Sequence, residues 1–148
     1  MLTLSDVIEA LTNHRPALAE TVISEAVVDS RQVMPGSMFI AMPGEHVDGH
    51  DFVADAFQRG ASVALIQHDI TGSFRTVQLS QGQALVPDIR LDIPLCLRVE
   101  NSLAALQQIA HFWRRKLSLR VIGITGSVGK STTKEVVAEI LDQRYRTL

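Results

Sequence analysis

Residues 38–66, MFIAMPGEHVDGHDFVADAFQRGASVALI, decide the fold. Met38 to Met42 is an apolar run of buried-strand length, and Ala61 to Ile66 is a second. Between them, Pro43-Gly44-Glu45-His46-Val47-Asp48-Gly49-His50 is a polar loop carrying two glycines. Asp51 can cap a helix running to Arg59, with Phe52, Ala56 and Phe57 inward and Gly60 as the residue that ends it. Strand, helix and strand in that order predict a βαβ unit and therefore an α/β fold with a parallel sheet.

The pattern continues on both sides. Upstream, residues 5–12 read as a helix with Ser5 as N-cap and Leu4, Val7, Ile8 and Leu11 on one face. Val22 to Val28 reads as a strand ending at Asp29-Ser30-Arg31, and Pro35-Gly36 as a turn. Downstream, Arg75–Leu79 and Asp88–Ile93 are two possible strands of a hairpin or surface excursion, and Leu95 to Val99 is a further strand. Asn101 or Ser102 then caps an amphipathic helix through Lys116, with Leu103, Leu106, Ile109, Ala110 and Trp113 on one face. Arg114, Arg115 and Lys116 crowd its last turn, where cations suit the helix dipole. The restart of strong patterning here places a boundary near residues 98–100.

Composition narrows the function classes. The 148 residues are 46 % hydrophobic and 20 % charged, an ordinary globular balance that argues against disorder. Fourteen basic against sixteen acidic residues give a formal charge of −2, so no global field favours nucleic acid or an anionic membrane. The lone Cys96 rules out an internal disulfide framework, reads as a buried small hydrophobe, and makes a reducing cytoplasm the natural setting. Neither a signal peptide nor an apolar run of membrane-spanning length is visible. Trp113 beside Arg114-Arg115-Lys116 reads as a core tryptophan and a basic helix end, not as a nucleic-acid contact.

The sharpest chemistry lies near the C-terminus. Val121-Ile122-Gly123-Ile124-Thr125 reads as a strand, Gly126-Ser127-Val128-Gly129-Lys130-Ser131-Thr132-Thr133 follows, and Lys134 to Gln143 is helix-patterned. Glycines let backbone N–H groups converge on one concavity, and a helix N-terminus adds positive potential, so phosphate oxygens meet fixed donors. Lys130 supplies a mobile charge for the β- and γ-phosphates, and the Ser131 hydroxyl can ligate Mg²⁺. Ile124 stands where the strict G-x-x-x-x-G-K-[ST] pattern has its first glycine. The context of strand, glycine loop and helix is nevertheless the one that phosphate binding requires. ATP with Mg²⁺ is the expected cofactor pair.

ITGSVGKSTTKE (124–135) resembles the ATP loop of the Mur ligases, whose form is T-G-x-x-G-K-[ST], so an isoleucine at 124 fits that family. The family usually has threonine at the position of Ser131, and the hydroxyl is retained. VVDSRQVMPGSMFIAMPGEHVDGHDFVADAFQRGASVALI (27–66) is similar to the N-terminal domain of Mur ligases that act on a lipid-free UDP-muramoyl-peptide. The resemblance implies a small N-terminal substrate domain over 1–98. The first helix, strand, phosphate loop and helix of an incomplete ATP-binding domain would follow over 99–148. DGHDF (48–52) and GKSTTKE (129–135) are most similar to the members that add D-alanyl-D-alanine to UDP-N-acetylmuramoyl-tripeptide. The sister ligase that adds the third peptide residue shares the DSR and DG elements but tends to carry T-N-G-K-T-T.

By that resemblance, Gly126, Ser127, Val128, Gly129, Lys130, Ser131 and Thr132 would cradle the triphosphate, with Lys130 and Ser131 acting on the reacting phosphate and Ser131 holding the metal. Val28, Ser30, Glu45, His46 and Val47 would hold the uridine diphosphate end of the substrate. Arg31 either joins them or braces the loop by pairing with Asp29 or Asp48. His46-x-Asp48-x-His50 has metal-ligand residue types, but its glycine-flanked loop favours a ligand-binding reading, and Asp48-Gly49 also reads simply as a turn. The family's remaining parts (a second Mg²⁺-binding acid, a carbamylated lysine, the adenine pocket and a C-terminal domain) would lie beyond Leu148, so this chain is expected not to ligate alone. Residues 100–148 supply too little for a sheet of their own and are expected to pack on the N-terminal domain, swap into a second copy or be poorly ordered. A non-catalytic nucleotide- or UDP-sugar-binding module and an unrelated P-loop NTPase are the rival classes.

Overall fold

The computed structural model describes residues 1–16, 20–79 and 93–147. The first helix, α1, spans Leu4–Thr12. Its N-cap is Thr3, not Ser5: Thr3 Oγ1 accepts from the Asp6 N–H at 3.2 Å, and Asp6 Oδ2 accepts from the Thr3 N–H at 2.9 Å. This reciprocal capping box satisfies two otherwise orphaned donors, and Ser5 lies buried inside the helix. Asn13, in the left-handed region at φ 59°, ends it.

Five short strands follow: β1 (Ala26–Val27), β2 (Met38–Ile40), β3 (Val63–Ile66), β4 (Arg75–Gln78) and β5 (Leu95–Arg98). They form one sheet in the order β1-β2-β3-β5-β4, with every neighbouring pair parallel. Met38, Val63, Leu95 and Arg75 stand in register across it. The expected α/β fold with a parallel sheet is present. The strand expected over 22–28 shrinks to two residues, because the chain before it turns to bond α1: Leu4 N–H donates to Thr21 O and Ile23 N–H to Leu2 O. Of the two segments expected to form a hairpin or surface excursion, Arg75–Gln78 is β4, which pairs parallel with β5. The strand expected at 88–93 lies outside the described residues except for Ile93.

Side chains alternate across the sheet as a pleated strand dictates. Met38, Ile40, Val63, Leu65, Leu95 and Leu97 face α1 and the helix α3 (Ser102–Lys116). Phe39, Ala64, Ile66 and Cys96 face the other way, toward α2 (Val53–Gln58), which contributes Val53 and Ala56. Buried on both faces, the central strands read as unbroken apolar runs, which explains how they could be found in the sequence. A turn of 3₁₀ helix at Gly49–Phe52 leads into α2, and its N-cap is Asp48, so Asp51 is not the cap and Phe52 is 39 % exposed. Gly60 ends α2 at φ 106°, and a Cβ there would meet Pro35 Cα at 3.1 Å.

Helix α3 is capped by Asn101 Oδ1, which accepts from the Ala104 N–H at 2.8 Å. Its buried stripe is Ser102, Ala105 and Ile109, so Leu103 and Ala110 are exposed, contrary to the expected face. Gln108 Nε2 donates to Ala10 O at 2.7 Å, and Lys116 Nζ to Asp6 Oδ1 at 2.7 Å, binding α3 to α1 at both ends. The helix therefore belongs to a first compact unit, Met1–Leu117, and not to a second one beginning at residue 99.

The second compact unit, Ser118–Leu148, contains α4 (Lys130–Asp142). Residues 121–125 are extended but form no strand, because a strand exists only where a neighbour completes its hydrogen-bond ladder. Val121, Ile122, Val136 and Ile140 are exposed. No helix among the described residues is long and apolar enough to cross a membrane.

Candidate functional site

All five strands run the same way, so their carboxyl ends lie along one edge, where open α/β sheets bind ligands. Because β1, β2 and β3 are neighbours, the segments that leave them come together: 28–32 after β1, 41–50 after β2 and 67–69 after β3. All six residues expected to hold a uridine diphosphate lie on the first two segments.

Their environments differ. Val28 is 56 % exposed and Val47 58 %, and Glu45 and His46 are exposed as well. Ser30 is buried on the side toward α2, where with Arg59 it helps to hold the Asp55 carboxyl below its usual value. Arg31 pairs with Asp29 and not with Asp48: Nε lies 2.9 Å from Asp29 Oδ1 and Nη2 2.7 Å from Asp29 Oδ2. That side-on pair, with the Arg31 N–H also donating to Asp29 Oδ1, lowers the Asp29 pKa to about 2. Asp29 thus braces the turn and orients the guanidinium outward.

The 43–48 loop is closed on itself. Gly44 N–H donates to Val47 O at 3.1 Å, Pro43 and Asp48 form an antiparallel bridge, and Gly49 N–H donates to Met42 O at 2.9 Å. Glycine is needed at 49, where a Cβ would sit 2.7 Å from Met42 N and 2.8 Å from Met42 O.

Beside the loop, Asp48 and His50 form a cluster with His68, which reading along the chain did not join to them. Asp48 Oδ1 accepts from the His50 N–H at 2.9 Å and from His50 Nδ1 at 2.6 Å, and Asp48 Oδ2 lies 3.1 Å from His68 Nε2. The rings of His50 and His68 stack with centroids 3.9 Å apart. His50 is buried, and its Nε2 accepts the Gln67 N–H at 2.8 Å, so its ring proton is on Nδ1. The bonds from the His50 backbone first and its ring second hold Asp48 at a pKa of about 2.

Asp48, His50 and His68 offer metal-ligand atoms within 4.8 Å of one another. A metal on Nδ1 of His50 would, however, force the ring proton onto Nε2, against the Gln67 N–H. The donor set is that of a hydrogen-bonded strut, and His46 takes no part in it. Nothing in the local sequence joins His68 to Asp48. The pointer was the βαβ reading itself, which sets the ends of β2 and β3 side by side.

In the second unit, Gly126, Ser127, Val128, Gly129, Lys130, Ser131 and Thr132 are all exposed. Gly126 and Gly129 have φ of 155° and 80°, and α4 opens at Gly129 with no side-chain cap. Its first-turn N–H groups therefore present the positive end of the helix without an internal acceptor, a fit for phosphate oxygens. Lys130 Nζ donates to Gly126 O across the loop, and the Ser131 hydroxyl is open to a hard cation.

Residues 22–114 match the family described as Mur ligase family, catalytic domain. UDP-N-acetylmuramoyl-tripeptide–D-alanyl-D-alanine ligase of Synechocystis is 36 % identical over 121 residues, which is 82 % of this chain and 23 % of the relative. UDP-N-acetylmuramoyl-L-alanyl-D-glutamate–2,6-diaminopimelate ligase of Pseudomonas putida is 34 % identical over 128 residues, 85 % of this chain and 23 % of the relative. The solved structure of MurF ligase from Thermotoga maritima in complex with ADP superposes with a TM-score of 0.61 at 28 % identity, covering 81 % of this chain and 23 % of that one. The chain spans about a quarter of the length of these relatives. With the parallel sheet and its carboxyl-edge loops, these matches show that the chain belongs to the Mur ligase family.

Proposed function

We propose that this chain is the N-terminal part of a ligase that joins D-alanyl-D-alanine to UDP-N-acetylmuramoyl-tripeptide in peptidoglycan precursor synthesis, using ATP and Mg²⁺ in the cytoplasm. The observation that carries the reading is the pairing, in one chain, of a three-loop carboxyl edge with an uncapped, glycine-led helix bearing Lys130 and Ser131. The names of the relatives support the substrates, and the ADP-bound relative supports the nucleotide. Residues 1–98 serve the uridine diphosphate end, and residues 99–148 open the ATP-binding domain. That functional boundary falls inside the first compact unit, Met1–Leu117.

The residues divide the work by charge. Backbone N–H groups from Gly126 to Thr132 hold the triphosphate, and Lys130 neutralises it. The Ser131 hydroxyl would hold Mg²⁺, which when bound would supply charge neutralisation for the transferring phosphoryl group. The tripeptide carboxylate would attack the γ-phosphorus with ADP as leaving group, giving an acyl phosphate, and the amine of D-alanyl-D-alanine would then displace phosphate and lose a proton as the amide forms. Val28, Arg31 and the Glu45-His46-Val47 loop meet the uridine diphosphate, with Ser30 released from Asp55 or bracing the turn. The chain alone binds and does not ligate.

The sister ligase that adds the third peptide residue is the second reading, favoured by relatives named for diaminopimelate addition. Calorimetric titration of the 148-residue chain with UDP-N-acetylmuramoyl-tripeptide, and separately with Mg-ATP, tests the proposal. Saturable binding of the UDP ligand, competed by UDP, is expected. A folded sample that binds no UDP ligand overturns it, and tighter binding of the UDP-dipeptide than of the UDP-tripeptide favours the sister. ATP turnover with no muramoyl substrate present favours an unrelated NTPase.

A further inference from the structure

The Pro43–Asp48 loop is held to the rest of the carboxyl edge by a small number of side-chain bonds, and all of them pass through Asp48. Its carboxylate takes the His50 backbone and ring on Oδ1 and the His68 ring on Oδ2. His50 in turn accepts the Gln67 N–H, so the loop after β2 is tied to the segment after β3 through two routes, one buried and one exposed.

The exposed route differs from the buried one in its proton count. His68 Nε2 faces the Asp48 carboxylate, and its Nδ1 lies 3.0 Å from Asp69 O. Both partners are acceptors only, so both ring nitrogens must donate, and that is the imidazolium. The charged groups around it are Asp48, Asp69 and Arg98, with the stacked His50 ring beneath, and Arg98 Nη1 is 2.9 Å from Asp69 Oδ1. We infer that the Asp48–His50–His68 cluster is a positioning latch for the 43–48 loop, closed while His68 carries both protons and loosened when it loses one. The inference rests on the proposed role of that loop in binding the uridine diphosphate end of the substrate.

The geometry makes the latch asymmetric. Losing a proton from His68 leaves either Asp48 Oδ2 or Asp69 O facing a bare nitrogen lone pair. His50 keeps its single proton on Nδ1 throughout, because Gln67 N–H occupies its other nitrogen. The Asp69 carbonyl first and the Asp48 carboxylate second raise the His68 pKa above its usual 6.5, so the latch is closed below the raised value and opens as pH rises through it. His50, Asp48 and His68 are thus positioning residues, acting on the substrate through the loop.

The test uses the 148-residue chain with its histidine rings and amides followed by ¹⁵N NMR from pH 6 to 8.5, and calorimetry with UDP-N-acetylmuramoyl-tripeptide over the same range. In the ligand-free protein, His50 is expected as the Nδ1-protonated tautomer at every pH. His68 is expected doubly protonated at pH 6, and the Gly44 and Gly49 amides should exchange faster, relative to free peptide, once it titrates. His68→Ala, at a half-exposed ring, should fold normally and show fast exchange at all pH values. If the latched fraction falls to about a fifth, the Kd for the UDP ligand rises about fivefold. Wild type should show that rise between pH 6 and 8.5, and His68→Ala should show it at both ends. Wild-type affinity, pH profile and loop exchange in His68→Ala would overturn the latch, as would an Nε2-protonated His50. Absence of UDP-ligand binding at any pH overturns the substrate reading on its own, and the ring spectra and loop exchange then still decide the latch.

Discussion

Lys116 Nζ donates to Asp6 Oδ1 at 2.7 Å, joining the last turn of α3 to the first turn of α1 across 110 residues of chain. Asp6 also accepts from Arg15 Nη1 at 2.8 Å and from both donors of Thr3. Burial by itself pushes the Asp6 carboxyl up. Bonds from Lys116, Arg15 and Thr3 outweigh it and hold the group well below the usual carboxylate range. One side chain thus serves as helix cap and as inter-helix tie.

Asp6→Asn should accordingly destabilise the protein by about 1–3 kcal/mol at pH 7, from a weakened cap and the loss of one of the two carboxylates that Arg15 and Lys116 share, Glu9 being the other. Because the folded pKa is depressed, the carboxylate's contribution is full well above 3.8 and fades as pH falls through and below that value. Urea denaturation of both proteins between pH 3 and 7 checks this. A gap that stays constant down to pH 3 would contradict the ionic origin.

Gly49→Ala meets backbone rather than a yielding side chain, since its Cβ would come within 2.8 Å of Met42 N and O. The expected cost is about 1–3 kcal/mol, with chemical-shift changes confined to residues 42–50. A substitution that leaves both the melting temperature and those shifts unchanged would show that the loop has room the structure does not contain.

Cys96 sits fully buried in β5 against the face that carries Phe39 and Ile66. Burial raises its thiol to about 11, far from the thiolate form needed for alkylation. Iodoacetamide at pH 8 should therefore label the native chain only through opening of the sheet, and added urea should accelerate labelling in step with unfolding. Labelling at the rate of a free peptide thiol would refute the buried placement.

Lys130→Ala removes an exposed side chain whose bond is to Gly126 O within its own loop. Thermal stability should stay within about 0.5 kcal/mol of wild type. Mg-ATP affinity should fall about tenfold, the scale of one charge-assisted phosphate contact. Equal Mg-ATP affinity of the two proteins would remove Lys130 from the phosphate site.

Strands β2, β3 and β5 were readable because each is apolar on both faces, a property written locally in Met38–Ile40, Val63–Ile66 and Leu95–Arg98. Pairing is not written locally. Nothing near Arg75 says that it will stand opposite Leu95 in a parallel ladder, so the segment looked like half of a hairpin. The same gap explains residues 121–125, which have strand composition and no ladder. Ser5 looked like a cap because serine suits caps, while Thr3 won because Asp6 could answer it from the third helical position. The proposed phosphate loop rests on a contiguous motif and the proposed uridine diphosphate residues on family resemblance, whereas nothing near His68 in the chain points to Asp48, 20 residues away on another strand end.

The single direction of the sheet has a consequence for how such a protein can diversify. The loops that follow β1, β2 and β3 at the carboxyl edge are chain segments between two anchored elements, and none of the core residues of β2, β3 or β5 lies in them. A lineage can therefore lengthen, shorten or recompose the 43–48 loop while the hydrophobic layers beneath stay unaltered. Gly49 and Asp48 mark the limit of that freedom, the point where the replaceable rim is riveted to the frame.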